Sequence, residues 1–592
     1  MIINGKQSSQ LTNDILEPTI SFHNFGKFDF ILSILKKLRV REIIDEAFTI
    51  EGHEPDISYG SLGMIFIANI ICDPKPLCHI GSTFTSGGHV FDFKGTLGEQ
   101  IELSQLTDDR FAKFLDRMYE IGNKRLFTNI TINALIEYGF KLSHTSYDTT
   151  TKTMWGVYEY EEDKPQSILE ITYGYNKQKR KDKRQIVIGL GMSEGLITDT
   201  SVMSGNMDDK SYNTENIKDF AELKKIYPVE DGEIRYTADS AACIDKVFKA
   251  AKDLNQLVLT RMPDNYNLTQ EMFEKFIPKL HESQIITIVK ENGEENSYNL
   301  FEDQGFHKDI HLKTCVYFSH SQLSVKYNTI AREVEKEKER LEAEVKKAVK
   351  KALFTSKKDA HKYKKELKSK KSLKKLKYHD IVIKVVEVIK PAPGPKAKDS
   401  SKQKFITKYD VQIEFSEKED IIDIQLQKLT QDCMFMLVTN DFTMTGEEML
   451  KEYKKQSSVE TKFKQLKNDF APNSLYLKKP ERVESLMYLI LIGLQVSSVI
   501  EKVVRDGLAQ DNDYLVINNN IKSEKPTFLK IIDLFDQVGR VIMIDDEKEK
   551  RFLSDKLTDS HKKVLRYLGL DERIFSGNTP EIKEKLAKLE HG

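Results

Sequence analysis

The stretch Gln185–Met203, QIVIGLGMSEGLITDTSVM, sets two apolar, β-branched runs on either side of Glu194-Gly195. Runs of that length around a pair suited to tight reversal predict a β-hairpin, with strands over Gln185–Met192 and Leu196–Met203. Upstream, HTSYDTTTKTMW (144–155) is rich in threonine and aromatics and predicts a preceding strand, joined to the hairpin through the basic loop GYNKQKRKDKR (174–184). Downstream, a helix is expected over about 213–225, a strand over 234–238, a helix over 240–254 and a strand over 257–260. The order β-β-β-α-β-α-β is that of an α/β domain.

The chain has 592 residues, enough for several domains and at least one large core. Hydrophobic residues at 39% and charged residues at 31% suit a soluble globular protein. Formal net charge is -1, so a surface for nucleic acid must arise from local segregation of charge. The five cysteines (Cys72, Cys78, Cys243, Cys315, Cys433) are scattered and lack zinc-site spacing with histidines. They point to a reducing compartment, the cytoplasm. The opening MIINGKQSSQLTND has no basic segment followed by an apolar run, so no secretion signal is expected. The most apolar run, Leu486–Ile500, is short and carries Gln495, Ser497 and Ser498, which predicts a buried helix and no membrane span.

Residues 1–140 read as helical through FDFILSILKKLRVREIIDEAF, SYGSLGMIFIANIIC and QLTDDRFAKFLDRMYE, the last capped by Thr107. A helix-turn-helix DNA-reading module and plain helical packing explain that pattern equally well. The α/β order of residues 141–263 is broken by a long insertion, 264–432, before the core resumes over 433–510. Within the insertion IITIVK, KTCVYFSH, HDIVIKVVEVIK and KYDVQIEF read as strands. Between them Ile330, Val334, Leu341, Val345, Ala348 and Ala352 are spaced close to a heptad, as in a helical hairpin or short coiled coil. KKELKSKKSLKKLK (364–377) is strongly basic, either a solvated helix face or an arm that contacts phosphates. PAPGPKAK reads as a turn or linker, and 511–592 as a helical C-terminal region.

The stretch Phe442–Asp469, FTMTGEEMLKEYKKQSSVETKFKQLKND, reads as one helix started by a capping box of Thr445 and Glu448. Val459, Phe463, Leu466 and Phe470 recur at helical spacing as a core stripe. Tyr453, Gln456, Glu460 and Lys467 fall on a second shared face. Asp148 lies on or at the end of the first strand, and Asp239 ends the strand after the hairpin. If those strands are neighbours the two carboxylates meet, and their repulsion suits a divalent cation held between them. Glu460, from a helix lying across the sheet, is the candidate for a third carboxylate in a site for Mg²⁺ or Mn²⁺. Two such ions about 4 Å apart can activate a water or a 3′-hydroxyl against a phosphodiester.

These residues carry a resemblance. YDTT at Asp148, TAD at Asp239, LVLTR ending at Arg261, and Tyr453-x₂-Gln456-x₃-Glu460-x₆-Lys467 together resemble the DDE transposases of bacterial insertion sequences. More narrowly they are similar to the group with a tyrosine, arginine, glutamate, lysine signature. The likeness spans about Ser143 to Gly493. It implies a ribonuclease-H-like core interrupted by a large β-rich insertion with a helical hairpin, preceded by a helical N-terminal region. It implies that Asp148, Asp239 and Glu460 are catalytic and bind two metal ions. It places Tyr453, Gln456, Lys467 and Arg261 at DNA. The partners it implies are double-stranded DNA, as transposon ends and target, and a second copy of the chain on paired ends. The reaction it implies is cut-and-paste transposition; a metal-dependent nuclease without strand transfer, or a catalytically impaired relative, are the alternatives. One departure bears on the last: the signature arginine is Gln456 here, which lacks a cation and its bidentate fork. The only tryptophan is Trp155, just after the first strand.

Overall fold

A computed structural model describes residues 19–49, 55–86, 88–156, 158, 169–177, 179–229, 234–289, 293–349, 353–393, 403–470, 477–517, 520–545, 548–554 and 556–576. Most of PAPGPKAK and the last sixteen residues lie outside them. The chain forms two compact units, residues 1–260 with 452–592, and residues 261–451.

The first unit holds a mixed sheet. Its strands are β1 (Thr145–Met154), β2 (Arg184–Ser193) and β3 (Leu196–Ser204). After helix α1 (Asp209–Ile226) come β4 (Arg235–Ala238), helix α2 (Asp245–Asp253) and β5 (Leu257–Met262). β3, β2 and β1 run antiparallel to one another, and β1, β4 and β5 run parallel. The order in space is therefore β3-β2-β1-β4-β5. The hairpin turns at Glu194-Gly195 with both φ angles positive (47° and 85°), the twist that two-residue hairpin loops require. The glycines of IGLG answer to packing. A Cβ at Gly189 would lie 2.6 Å from the Tyr212 ring, and one at Gly191 would lie 2.4 Å from the Tyr147 ring. Tyr147 and Tyr236 stack on adjacent strands at 4.5 Å, with Phe220 of α1 edge-on to both.

Around this sheet the N-terminal helices Gly26–Lys37, Val40–Ala47, Tyr59–Cys72, Asp108–Ile121 and Asn123–Glu137 form a bundle. Thr107 caps the fourth as expected, accepting from the Arg110 N–H at 3.4 Å. The bundle and β3 surround a 32-residue helix, Pro480–Asp511. That helix is long and apolar enough to cross a membrane, but 89% of its most apolar window is buried within the protein. Gln495, the polar residue in its middle, accepts the Ile197 N–H of β3 at 2.9 Å, beside the register shift at Gly191-Met192. That bond accounts for an amide in so apolar a run.

The C-terminal region is not wholly helical. Arg540–Asp545 and Lys548–Leu553 are strands, and the first pairs with Thr19–His23 to close a three-stranded sheet. Leu515–Ile517 and Ile521–Ser523 form a further hairpin. Dense charge hid these strands in the sequence. The alternation of RVIMID is short, and its partner strand lies some 500 residues away, where no local pattern reaches. Arg540 explains part of that charge, since its buried guanidinium meets Asp29 at 2.8 Å and Asp92 at 2.5 Å.

The second unit contains β6 (Gln284–Val289), β7 (Glu295–His307) and β8 (Ile310–Ser319), then helices α3 (Leu323–Val349) and α4 (Lys357–Ser369). Strands β9 (His379–Pro391), β10 (Phe405–Glu417) and β11 (Met434–Thr439) follow, with helix Ile421–Asp432 before the last. β11, β8, β7 and β6 form an antiparallel sheet in that order, and β9 with β10 forms a separate long hairpin. Of these, β7 was not expected from the sequence. Its solvent-facing half, EDQGFH, is too polar to register as a strand. The near-heptad of α3 is used against the hairpin: Leu341 and Ala348 join Ala360, Leu367, Leu373, Ile383, Val411 and Ile413 in one small core.

Candidate active site

The strand register brings the two aspartates together. β1 and β4 run parallel with Tyr147 opposite Ala238, so Asp148 and Asp239 follow as neighbours one residue on. Side chains alternate along a strand. Tyr147 and Tyr236 therefore pack toward α1, while Thr150, on the same side of β1 as Asp148, meets Lys467 from the far helix. Thr260 fixes the end of β4 by donating to the Asp239 carbonyl at 2.6 Å, and the Asp239 carboxylate accepts the Ala241 N–H at 3.0 Å. The helix-cap role open to any aspartate after a strand is thus also present.

Burial, reinforced by Asp239 and Asp209, pushes the Asp148 carboxyl up to about 6 against the opposing pull of Lys177 and the Thr149 N–H. Burial also raises Asp239; Asp209 adds to the shift, and the Ala241 N–H and Lys177 work against it. Two members of this cluster were not anticipated. Asp209, in the first turn of α1, accepts the Thr149 hydroxyl. Lys177 lies 3.6 Å from Asp148 and 3.4 Å from Asp209, and donates to the Thr149 carbonyl at 2.7 Å. In sequence the pair Asp208-Asp209 reads as a helix start, and Asp208 does serve as the cap, accepting from Lys210 and Ser211. A cap needs one carboxylate, so the second acid was the available signal. Lys177 was one of several cations in a loop, with nothing to single it out.

The helix expected as one piece over 442–469 is broken. Its start is as expected: the Thr445 N–H donates to the Glu448 carboxylate at 2.8 Å, and the Glu448 N–H returns to the Thr445 hydroxyl at 3.3 Å. Helix α5 (Gly446–Lys454) ends in a tightened turn, and helix α6 (Ser457–Gln465) runs on into a wider π turn, Leu466–Phe470. Within the break, the N–H groups of Lys455, Gln456, Ser458 and Val459 each reach back three residues in place of four. The Ser457 hydroxyl also bonds the Lys454 carbonyl, a competition that weakens helical pairing in KKQSS. Val459, Phe463, Leu466 and Phe470 are all buried, as their spacing predicts.

Along this broken helix Glu452 accepts the Thr237 hydroxyl of β4 at 3.1 Å and Gln456 donates to the Tyr147 carbonyl at 3.4 Å. Lys467 donates to the Thr150 hydroxyl at 2.6 Å. The contacts of Gln456 and Lys467 thus bracket Asp148 on β1, and Glu460 falls between them in sequence. The Glu460 carboxylate is exposed, however, and not drawn into the cluster. Among the described residues no three His, Cys, Asp or Glu side chains are close enough to hold a metal ion. Tyr453 is half-buried in the same stretch. Arg261 lies at the end of β5, where the second unit begins, and its guanidinium pairs with Asp264 at 3.1 Å and lies over the Phe435 ring.

Lys177 and Lys467 lie beside the Asp148 carboxylate, and Lys152 lies beside Lys467. Burial lowers Lys467, and Lys177 adds to that; burial lowers Lys152, and Lys467 adds to it. Like charges held together at partial burial signal a place for an anion.

Residues 150–495 match the family described as the transposase DDE domain. The chain belongs to the DDE transposases. Asp239 and Glu460 fall within the matched residues and Asp148 lies two positions before them. Residues 20–132 of this transposase match a domain of unknown function, DUF4277. Among curated proteins no sequence matches it. Among solved structures it is similar to a piggyBac transposase, seen by cryo-EM in a synaptic complex with hairpin DNA, at 10% identity and a TM-score of 0.33. That likeness covers 87% of this chain and 81% of the other.

Proposed function

We propose that this transposase is a bacterial insertion-sequence enzyme of the tyrosine, arginine, glutamate, lysine group, acting in the cytoplasm as at least a dimer on paired element ends. In this reading the first unit is a ribonuclease-H-like core. The strand order β3-β2-β1-β4-β5 and the late helix lying along β1 support it. The observation that carries the reaction is the pairing of Asp148 with Asp239 at adjacent ends of two parallel strands, with Lys177 and Lys467 beside Asp148.

The donor set suits a hard cation. Two partly buried carboxylates have their charge met by a lysine, and oxygen is the only ligand atom offered. Asp148 and Asp239 would hold Mg²⁺ or Mn²⁺, with Glu460 as the third ligand, two ions per site by family resemblance. When bound, such ions supply Lewis acidity to the attacking and leaving oxygens of a phosphodiester. The chain's own residues do the rest. The parallel strands fix the spacing of the carboxylates, and Lys467 and Lys177 offer their charge to the phosphates of the DNA end. Double-stranded DNA is cleaved at the element ends, and the freed 3′-hydroxyls are joined to target DNA. Tyr453 and Arg261 contact the DNA backbone.

Asp148→Ala, Asp239→Ala and Glu460→Ala are each expected to abolish Mg²⁺-dependent cleavage of element-end DNA while end binding persists. Cleavage by any one of them removes that residue from the site. Gln456, bonded to the Tyr147 carbonyl in place of the signature arginine, favours the impaired relative as a second reading. Gln456→Arg distinguishes the two: tighter end binding at moderate salt marks a lost phosphate contact, and unchanged binding shows that the position does not touch DNA.

A further inference from the structure

The basic run of the second unit is not a tail but part of a framed surface. Ser356 caps α4 by accepting the Lys358 N–H, and Ala360, Leu367 and Leu373 bury against the β9–β10 hairpin. Beyond the helix, the buried Glu337 of α3 accepts the backbone N–H groups of Lys377, Tyr378 and His379 at 2.9, 2.8 and 3.0 Å. The segment 356–377 is therefore tied at its start, its middle and its end.

Its outer face is nearly all cation. Residues 356–377 contain eleven lysines against two carboxylates, Asp359 and Glu366. Among the described residues, ion pairs engage only Lys357 (with Glu387, 3.4 Å) and Lys370 (with Glu344, 3.0 Å) of the eleven. At 100° per residue Lys358, Lys362, Lys365 and Lys368 fall within about a third of the helix circumference, opposite Ala360 and Leu367, over a rise of about 15 Å. All four are exposed. A merely solvated face mixes its signs. Helix α3, packed on the same hairpin, does so with seven basic and six acidic residues. Like charges aligned on a fixed frame repel, and a polyanion relieves that along the whole length in exchange for mobile counterions.

We propose that this lysine face is a second DNA-binding surface, separate from the carboxylate site, that grips the phosphate backbone of duplex DNA without reading its sequence. The proposal rests on the reading of the chain as an enzyme that acts on DNA. Lysine is a mobile point charge without the planar fork that reads guanine edges, so base readout is disfavoured.

The test compares full-length wild type with the quadruple variant Lys358→Gln, Lys362→Gln, Lys365→Gln, Lys368→Gln, measuring affinity for a random-sequence duplex across salt concentrations. Each lost phosphate contact flattens the plot of log affinity against log salt by about 0.9, so the variant's slope should be shallower by about three to four. The Lys→Arg set should restore the slope, and Lys336→Gln, Lys338→Gln, Lys346→Gln on α3 should leave it as in wild type. Wild type that binds duplex with a slope the quadruple variant does not change overturns this proposal and leaves the carboxylate reading standing. Wild type that binds no duplex overturns both. Polyglutamate that competes as well as duplex at equal charge assigns the face to an acidic polypeptide and overturns the assignment to DNA.

Discussion

The carboxylate site and the lysine frame invert each other. At the first, like charges are pressed together at the edge of a core, and burial shifts their protonation; Asp148 is raised to about 6. At the second, like charges stand in water on a rigid support. Burying a charge gives it chemistry, because desolvation makes it seek a cation or a proton. Spreading charges over an exposed frame gives reach without chemistry, since each contact with a phosphate is small and the sum is set by salt. A net charge of -1 conceals both, which is why composition alone was silent about partners.

The largest stability effect should come from breaking the frame from within. Glu337→Ala leaves three backbone N–H groups without their acceptor, two of them on buried residues, at a cost of about 3 kcal/mol to the second unit. Burial works to raise the Glu337 carboxyl, but those N–H groups and His379 outweigh it and hold it below the usual range. Its contribution is therefore present above the unfolded-state value and lost as pH falls through the lowered one. Hydrogen exchange of the β9–β10 hairpin checks this. Protection equal to wild type would mean that the frame does not depend on Glu337.

A smaller effect of opposite sign is expected at the carboxylates. The folded value of Asp148 lies above 3.8, so the native chain binds more protons than the unfolded chain between about pH 4 and 6, and this group's contribution falls as pH rises through that window. Asp148→Asn should thus stabilise the cation-free protein at pH 7 by about 1–2 kcal/mol, less than the full shift implies because the contact with Lys177 is also lost. At pH 4.5 the gain should shrink, and Mg²⁺ should narrow it at pH 7. Thermal unfolding at the two pH values decides; a destabilised variant at pH 7 would show that Lys177 already compensates the carboxylate in full.

How much of this was legible in the sequence depends on the distance over which each feature is determined. The hairpin around Glu194-Gly195 and the buried stripe Val459, Phe463, Leu466, Phe470 follow from local alternation and helical period, and both stand. The meeting of Asp148 with Asp239 was expected on the condition that their strands were neighbours, which the parallel register supplies. The break at Lys455-Gln456 was missed because four tightened hydrogen bonds leave the apolar stripe intact on either side. Glu460 illustrates the other limit. Spacing put it on the segment that lies along β1, but whether an exposed glutamate turns inward depends on what it finds there. The strands at 540–553 were unreadable for a different reason, since one of them is completed by Thr19–His23 at the far end of the chain.

Whether Asp148 and Asp239 share a cation is measured directly by Mn²⁺ binding followed by electron paramagnetic resonance on the whole chain. Wild type should bind Mn²⁺, and Asp148→Ala and Asp239→Ala should each lose that binding while keeping the fold. Mn²⁺ bound equally well by either variant would contradict that sharing.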